Sequence, residues 1–214
     1  MKKKRDIILV GGGGHCKSVI DIIENGNEFS IIGIIDTPEK VGESVLGYPI
    51  IGDDSTISKW IAKDMYFHIS LGQIHSNEPR IKLFNMIKNN GGTLPIIKAP
   101  DAYVSKHSKI GPGVLIAHKA IINAGVSVGE NTIINSGALI EHDSKIGAQC
   151  HISTLCAVNA DCEIKDGSFL SSHVVINRGC CLPPNSIVYS GAIVTQSFHH
   201  TGIRLKGIPA KPVE

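Results

Sequence analysis

The sequence predicts an α/β half-domain of dinucleotide-binding type over residues 1–99, followed by a parallel three-sided β-solenoid with a C-terminal tail over residues 100–214. Three observations carry this. An aliphatic residue returns at every sixth position from Val104 to Val194; four consecutive glycines separate a strand pattern from a helical one near the start; and Thr93 to Tyr103, with Pro95 and Pro100, reads as an extended connector.

The hexad runs without a miss: Val104, Ile110, Ile116, Ile122, Val128, Ile134, Ile140, Ile146, Ile152, Val158, Ile164, Leu170, Ile176, Leu182, Val188 and Val194. Four residues after each stands a small or β-branched one, from Ser108 through Ala138, Ser144 and Cys150 to Ala192. A period of six is neither the 3.6 of a helix nor the 2 of a half-buried strand. It suits a solenoid in which each hexad is one short strand plus a corner and eighteen residues close a coil, giving about five coils. Four of the six cysteines (Cys150, Cys156, Cys162, Cys180) fall in the small column. A thiol acts there as a compact apolar group, and the spacing resembles no zinc knuckle. Asn123, Glu141, Asn159 and Asn177 share one corner column, where left-handed backbone favours Asn and Glu141 is the exception.

The front reads as strand (Asp6 to Val10), glycine turn (Gly11 to Gly14), helix (His15 to Glu24) and a second strand (Ser30 to Ile35) ending at Asp36. A third strand follows over Tyr66 to Leu71, then a helix over Asn77 to Asn89 that Gly91-Gly92 terminates. Strand, glycine turn, helix, strand and acid make half of a Rossmann-like unit.

Composition narrows the function classes. The 214 residues are 42% hydrophobic with a formal net charge of +2, enough apolar matter for real cores. With 5% aromatic residues and no basic stripe, nucleic acid is not an expected partner. Met1 to Arg5 imitate the front of a signal peptide, but the apolar run behind them ends at Val10 against the glycines; no membrane span is expected, and the chain reads as cytoplasmic.

A glycine turn at a helix N-terminus lets backbone N–H groups approach a phosphate, and an acid at the end of the second strand accepts hydrogen bonds from a nucleoside. Gly12, Gly13, Gly14 and Asp36 satisfy this pattern, without the later helix glycine of the full fingerprint. Among the solenoid histidines, His107, His118, His142 and His173 occupy outward corner positions. His142 differs from the others in its neighbours Glu141 and Asp143: a carboxylate on one ring nitrogen leaves the other basic. Asn135, seven residues earlier, is a second candidate orienter.

Taken together, Gly11 to His15 after the first strand, Asp36 after the second, the unbroken hexads, Asn135 with Ile140-Glu141-His142-Asp143, and Gly207-Ile208-Pro209-Ala210-Lys211 resemble the nucleotide-sugar and sialic acid acetyltransferases of the left-handed β-helix superfamily. The resemblance implies a left-handed parallel β-helix and a homotrimer, with acetyl-CoA as co-substrate between adjacent prisms, no permanently bound cofactor and no metal. It assigns His142 as general base, oriented by Asp143, where relatives often carry Glu, with Asn135 as a further catalytic residue. Nucleotide-sugar contacts fall to Gly12, Gly13, Gly14, His15, Asp36, Thr37 and Gly72. Acetyl-CoA contacts fall to His151, the Ala160 N–H, Lys206 and Ile208. Cys16 stands where relatives commonly have Gly.

The expected reaction is N-acetylation of a nucleotide-linked amino-deoxysugar. Sialic acid O-acetylation on the same fold is the first alternative; a non-catalytic scaffold and a metal-dependent carbonic anhydrase type are more remote.

Overall fold

The computed structural model describes residues 4–74 and 76–213. Met1 to Lys3 therefore lie outside the described residues, whereas Arg5 opens the first strand: it pairs with Glu28, and its guanidinium lies 4.5 Å from the Phe29 ring centroid and 4.8 Å from that of Tyr66. The chain divides into two compact units, Met1–Pro100 and Asp101–Glu214.

The first unit is a sheet with helices. Strands β1 (Arg5–Val10), β2 (Phe29–Ile35), β3 (Ser44–Val45), β4 (Tyr48–Gly52) and β5 (Tyr66–Ile69) lie in the order β3-β4-β2-β1-β5, parallel except for the β3–β4 hairpin. Residues Ile7 to Val10 are all buried, as in a parallel sheet covered on both faces. Ile8 and Val10 pack with Phe67 and Ile69 and with Leu83, Phe84 and Ile87 of helix α3 (Glu78–Asn89). A short helix α2 (Ile57–Ile61) adds Ile57 to that cluster. By alternation Ile7 and Leu9 face the other side, that of α1 (Gly14–Asn25), which buries Cys16, Val19, Ile20, Ile22 and Ile23. Each such side chain stabilises the fold by about 1.5–3 kcal/mol.

Helix α3 ends as expected. Gly91 is left-handed, its N–H donates to Lys88 O at 3.1 Å, and the Gly92 N–H donates to Ile87 O at 2.9 Å, the paired bonds of a Schellman motif. The small strands β3 and β4 and helix α2 were not expected from the sequence. Pro49 inside β4 and the five-residue length of α2 leave no full period to read.

The second unit is a left-handed parallel β-helix. Within this unit two-residue strands stack eighteen apart on three faces, which run on from Tyr103–Val104, from Lys109–Ile110 and from Leu115–Ile116. From Ile116 to Val194 every hexad aliphatic is buried, and so is the small column from Val114 to Ala192. The cysteines of that column are free thiols; burial pushes Cys150 up to about 12 and Cys156 to about 11, which leaves them unreactive.

The corners depart from expectation in one respect. A positive φ recurs at every sixth position from Gly113 to Gly191, at Lys119, Asn131, Asp143, Gln149, Leu155, Asp161, His173 and Asn185 as well as at glycines. The column of Asn123, Glu141, Asn159 and Asn177 stands two residues earlier, outside the left-handed set. Its polar groups serve hydrogen bonds between coils instead: Asn159 Nδ2, for example, donates to Ile176 O at 3.0 Å.

After Val194 the chain returns as Arg204–Lys206 beside Ile187–Val188, then folds antiparallel as Lys211–Pro212. No helix of the described residues is long and apolar enough to cross a membrane.

Candidate active site

In the first unit the glycine turn joins β1 to α1. Gly13 caps α1 without a side-chain hydrogen bond, and the Cys16 N–H closes the first turn by donating to Gly13 O at 3.0 Å, so the positive end of the helix dipole faces the glycine turn. A Cβ added at Gly13 or Gly14 would meet no atom within 4 Å, whereas one at Gly12 would lie 2.8 Å from Asp36 Oδ2. The Gly12 N–H donates to that oxygen at 2.7 Å, Lys40 Nζ approaches it at 3.1 Å, and the Thr37 N–H donates to Oδ1 at 2.7 Å. Burial pushes the Asp36 carboxyl up, but the Thr37 N–H, Lys40 and the Gly12 N–H together outweigh it and hold the group below the usual carboxylate range. Asp36 thus fixes the shape of the turn. His15, Thr37 and Gly72 stand around it: Thr37 and Gly72 are exposed, and the Cβ position of Gly72 is 3.5 Å from His15 Cβ.

In the second unit the corner after Leu139–Ile140 carries His142. Its Nδ1 lies 2.8 Å from Asp143 Oδ2, with both side chains about half exposed. With Nδ1–H donated to the carboxylate, Nε2 keeps its lone pair toward solvent. Behind it Glu141 Oε2 accepts from Asn123 Nδ2 at 2.9 Å and, at 3.4 Å, from the His142 N–H. Asn123 was not singled out for this role; the column spacing of eighteen that pairs it with Glu141 was the available signal. Gly125 was also missed. It stands one coil below Asp143, and a Cβ there would fall 2.3 Å from Asp143 Oδ1.

Asn135 belongs to a different pair. Its Nδ2 is 3.3 Å from His151 Nε2, and its Oδ1 accepts the Ser136 N–H at 2.8 Å, so its side-chain bonds run to the His151 side of the corner and not to His142. His151 is buried, with its ring centroid 5.2 Å from that of Phe169. Ala160 sits one coil above His142, where the Asp161 N–H donates to His142 O at 3.2 Å. The Ala160 carbonyl accepts from Gly179 at 3.0 Å, while its N–H donates no hydrogen bond among the described residues. Lys206 and Ile208 are exposed beside a tail that the Ala210 N–H ties to Ile193 O at 2.7 Å. Among the described residues no three His, Cys, Asp or Glu side chains gather as a metal-binding cluster.

Family models match both units, the PglD N-terminal domain over residues 6–87 and the GMPPB C-terminal domain over residues 93–203. The second model spans more than half of the chain, which therefore belongs to the GMPPB C-terminal domain family, and the whole chain is similar to hexapeptide-repeat sugar acetyltransferases. GDP-perosamine N-acetyltransferase (PerB) of Caulobacter crescentus, solved with CoA and GDP-perosamine, is 27% identical with a TM-score of 0.90, over 100% of this chain and 99% of that one. A variant of it with one histidine replaced by alanine, in the same complex, gives a TM-score of 0.91. The PglB acetyltransferase domain of Neisseria gonorrhoeae with acetyl coenzyme A (24% identical, TM-score 0.90, 99% of this chain and 100% of that one) shares the fold. No curated protein sequence matches the chain.

Proposed function

We propose that this member of the family transfers the acetyl group of acetyl-CoA to the amino group of a nucleotide-linked amino sugar, with His142 as general base. The observation that carries the reading is the His142–Asp143 pair at 2.8 Å, in a chain that aligns over its whole length with an enzyme solved on CoA and a nucleotide amino sugar. The neutral amine attacks the thioester carbonyl while Nε2 of His142 takes its proton. The tetrahedral oxyanion is met by the Ala160 N–H, a donor worth about 3–4 kcal/mol in such a position. Collapse expels the CoA thiolate, and the proton held on His142 passes to it.

The first hundred residues take the nucleotide in this reading. Gly12, Gly13, Gly14 and His15 receive the diphosphate at the α1 N-terminus, with Thr37, Gly72 and the Asp36 turn framing the nucleoside. His151, held by Asn135, and Lys206 with Ile208 serve the coenzyme. Both proposed substrates are products of cytoplasmic metabolism, which supports a cytoplasmic location.

The faces of the prism support a homotrimer in this reading. The outward column Tyr103, Ile121, Leu139, Ala157, Val175, Ile193 is apolar throughout, whereas the next face presents Lys109, Ser127, Lys145, Glu163 and Cys181. Threefold closure covers the apolar face in every subunit.

The test incubates purified protein and acetyl-CoA with GDP-perosamine, with uridine- and thymidine-diphosphate 4-amino sugars, and with free and cytidine-linked sialic acid, following thiol release. Turnover of an amino sugar is expected. Turnover of sialic acid alone would replace N- by O-acetylation, and no turnover of any acceptor would favour a scaffold.

A further inference from the structure

We propose that Arg80 is a positioning residue for nucleotide-sugar binding: it holds the loop after β5 against the glycine turn. The inference rests on the reading of that turn as the nucleotide site.

Arg80 lies in α3 and is 1% exposed. Burying a guanidinium costs several kcal/mol unless its donors are engaged. Its Nη1 donates to Ile69 O at 3.0 Å and also to Leu71 O. These carbonyls lie at the carboxyl end of β5, which pairs with β1 through Val10 and Ile69. In a parallel sheet the loops at that end carry the ligand. The loop is locked to the turn at three points. The Ser70 N–H donates to Val10 O at 2.9 Å, Ser70 Oγ donates to Gly11 O at 2.6 Å, and Leu71 Cδ2 occupies space 2.4 Å from where a Cβ of Gly11 would stand. One residue on, Gly72 borders His15.

The path therefore runs from Arg80 through two carbonyls to Leu71 and Gly72, and from them to Gly11 and His15. Carbonyls two residues apart converge on one cation; without it they repel each other, and the loop loses the constraint that presses Leu71 on Gly11. Arg suits this because its planar fork is rigid, whereas a lysine offers one flexible ammonium.

The test uses the full chain with Arg80→Lys, Arg80→Met and Leu71→Ala, the last leaving Arg80 in place. Binding of GDP, UDP and dTDP is measured by calorimetry, and steady-state kinetics are measured with both substrates varied. Arg80→Met and Leu71→Ala are expected to weaken the diphosphate that the wild type binds, and to raise KM for the nucleotide sugar, by about tenfold, with Arg80→Lys between them and the wild type. Saturating kcat and KM for acetyl-CoA are expected to stay within about twofold.

A purely structural role would lower Tm but leave both KM values of the folded protein unchanged, and that result overturns the proposal. If Arg80→Met does not fold, unchanged nucleotide affinity in Arg80→Lys and Leu71→Ala overturns it equally. Failure of the wild type to bind any of the three nucleotides overturns the nucleotide-site reading, and this proposal with it.

Discussion

His142 Nδ1 and Asp143 Oδ2 stand 2.8 Å apart although the two residues are neighbours in the chain, and Asp143 has a left-handed φ of 63°. The corner itself brings the carboxylate to the imidazole, so the pair is set by backbone geometry that every coil repeats. Asp tolerates that conformation better than most residues, which suits it to this corner whatever acid the relatives carry.

Replacing His142 with Ala is expected to lower kcat by about 10²- to 10⁴-fold while acetyl-CoA binding, measured by calorimetry, stays intact. Asp143→Asn keeps the shape and loses the charged hydrogen bond; a loss of about 1.5 kcal/mol corresponds to about a tenfold fall in kcat. Near wild-type turnover in His142→Ala would remove it as the base.

Gly125 gives a sharper test of the same pair. Its φ is +76°, and an added Cβ would fall 2.3 Å from Asp143 Oδ1. Gly125→Ala therefore strains the corner by about 1–2 kcal/mol and displaces the carboxylate. Tm is expected to drop by about 2–8 °C, and kcat to fall to the level of Asp143→Ala. In the double variant the clash has no partner, so the two losses in kcat are expected not to add. Additive losses would show that Gly125→Ala lowers kcat by a route other than Asp143, and a lowered Tm with unchanged kcat would show that Gly125 acts on stability alone.

The solenoid was legible because each hexad repeats one physical demand, an inward aliphatic and a small residue beside the corner; Ile140 and Ser144 alone would say little, but sixteen repeats of the aliphatic position fix the coil. The left-handed column was read two residues early, since Asn123, Asn159 and Asn177 suggest turn chemistry where the observed need is at Gly125, Asp143, Asp161 and Gly179. His142 with Asp143 was visible as adjacent residues. The Asn135–His151 pair was not, because it depends on side chains from adjacent coils meeting across a corner. Asp36 stands at the strand end as expected, yet its partner Gly12 comes from a separate segment that only the pairing of β1 with β2 brings alongside, whereas Lys40 reaches it from four residues on.

His68 makes stability depend on pH. It is fully buried in β5, its ring nitrogens have no partner among the described residues, and burial first, then the charges of Arg80 and His15, push it from 6.5 down to about 3. Between these values the unfolded chain binds a proton that the folded chain refuses, so stability falls as pH is lowered from 6.5 toward 3. The slope is about 1.4 kcal/mol per pH unit for one group. His68→Met is expected to flatten the Tm-against-pH curve in this window relative to wild type. Parallel curves would mean that the ring is protonated or relaxes outward.

The apolar face of the prism predicts assembly, and Ile121 is the position at which to break it. Its side chain points outward from a two-residue strand and is 40% exposed, with Tyr103 below it 57% exposed, while its neighbour Ile122 fills the core. Ile121→Glu therefore leaves the coil intact, and far-UV circular dichroism is expected to be unchanged. Three carboxylates forced into a threefold interface have no partner there, and an uncompensated buried charge costs about 3–5 kcal/mol. Sedimentation equilibrium is expected to show a trimer for the wild type and a monomer for Ile121→Glu, with activity falling as the protein dissociates, because the family resemblance implies a coenzyme held between adjacent prisms. Lys145→Glu, on the polar face, is expected to change neither mass nor activity. A trimer retained by Ile121→Glu would place the interface on another face, and a monomeric variant with full activity would confine the coenzyme site to one subunit.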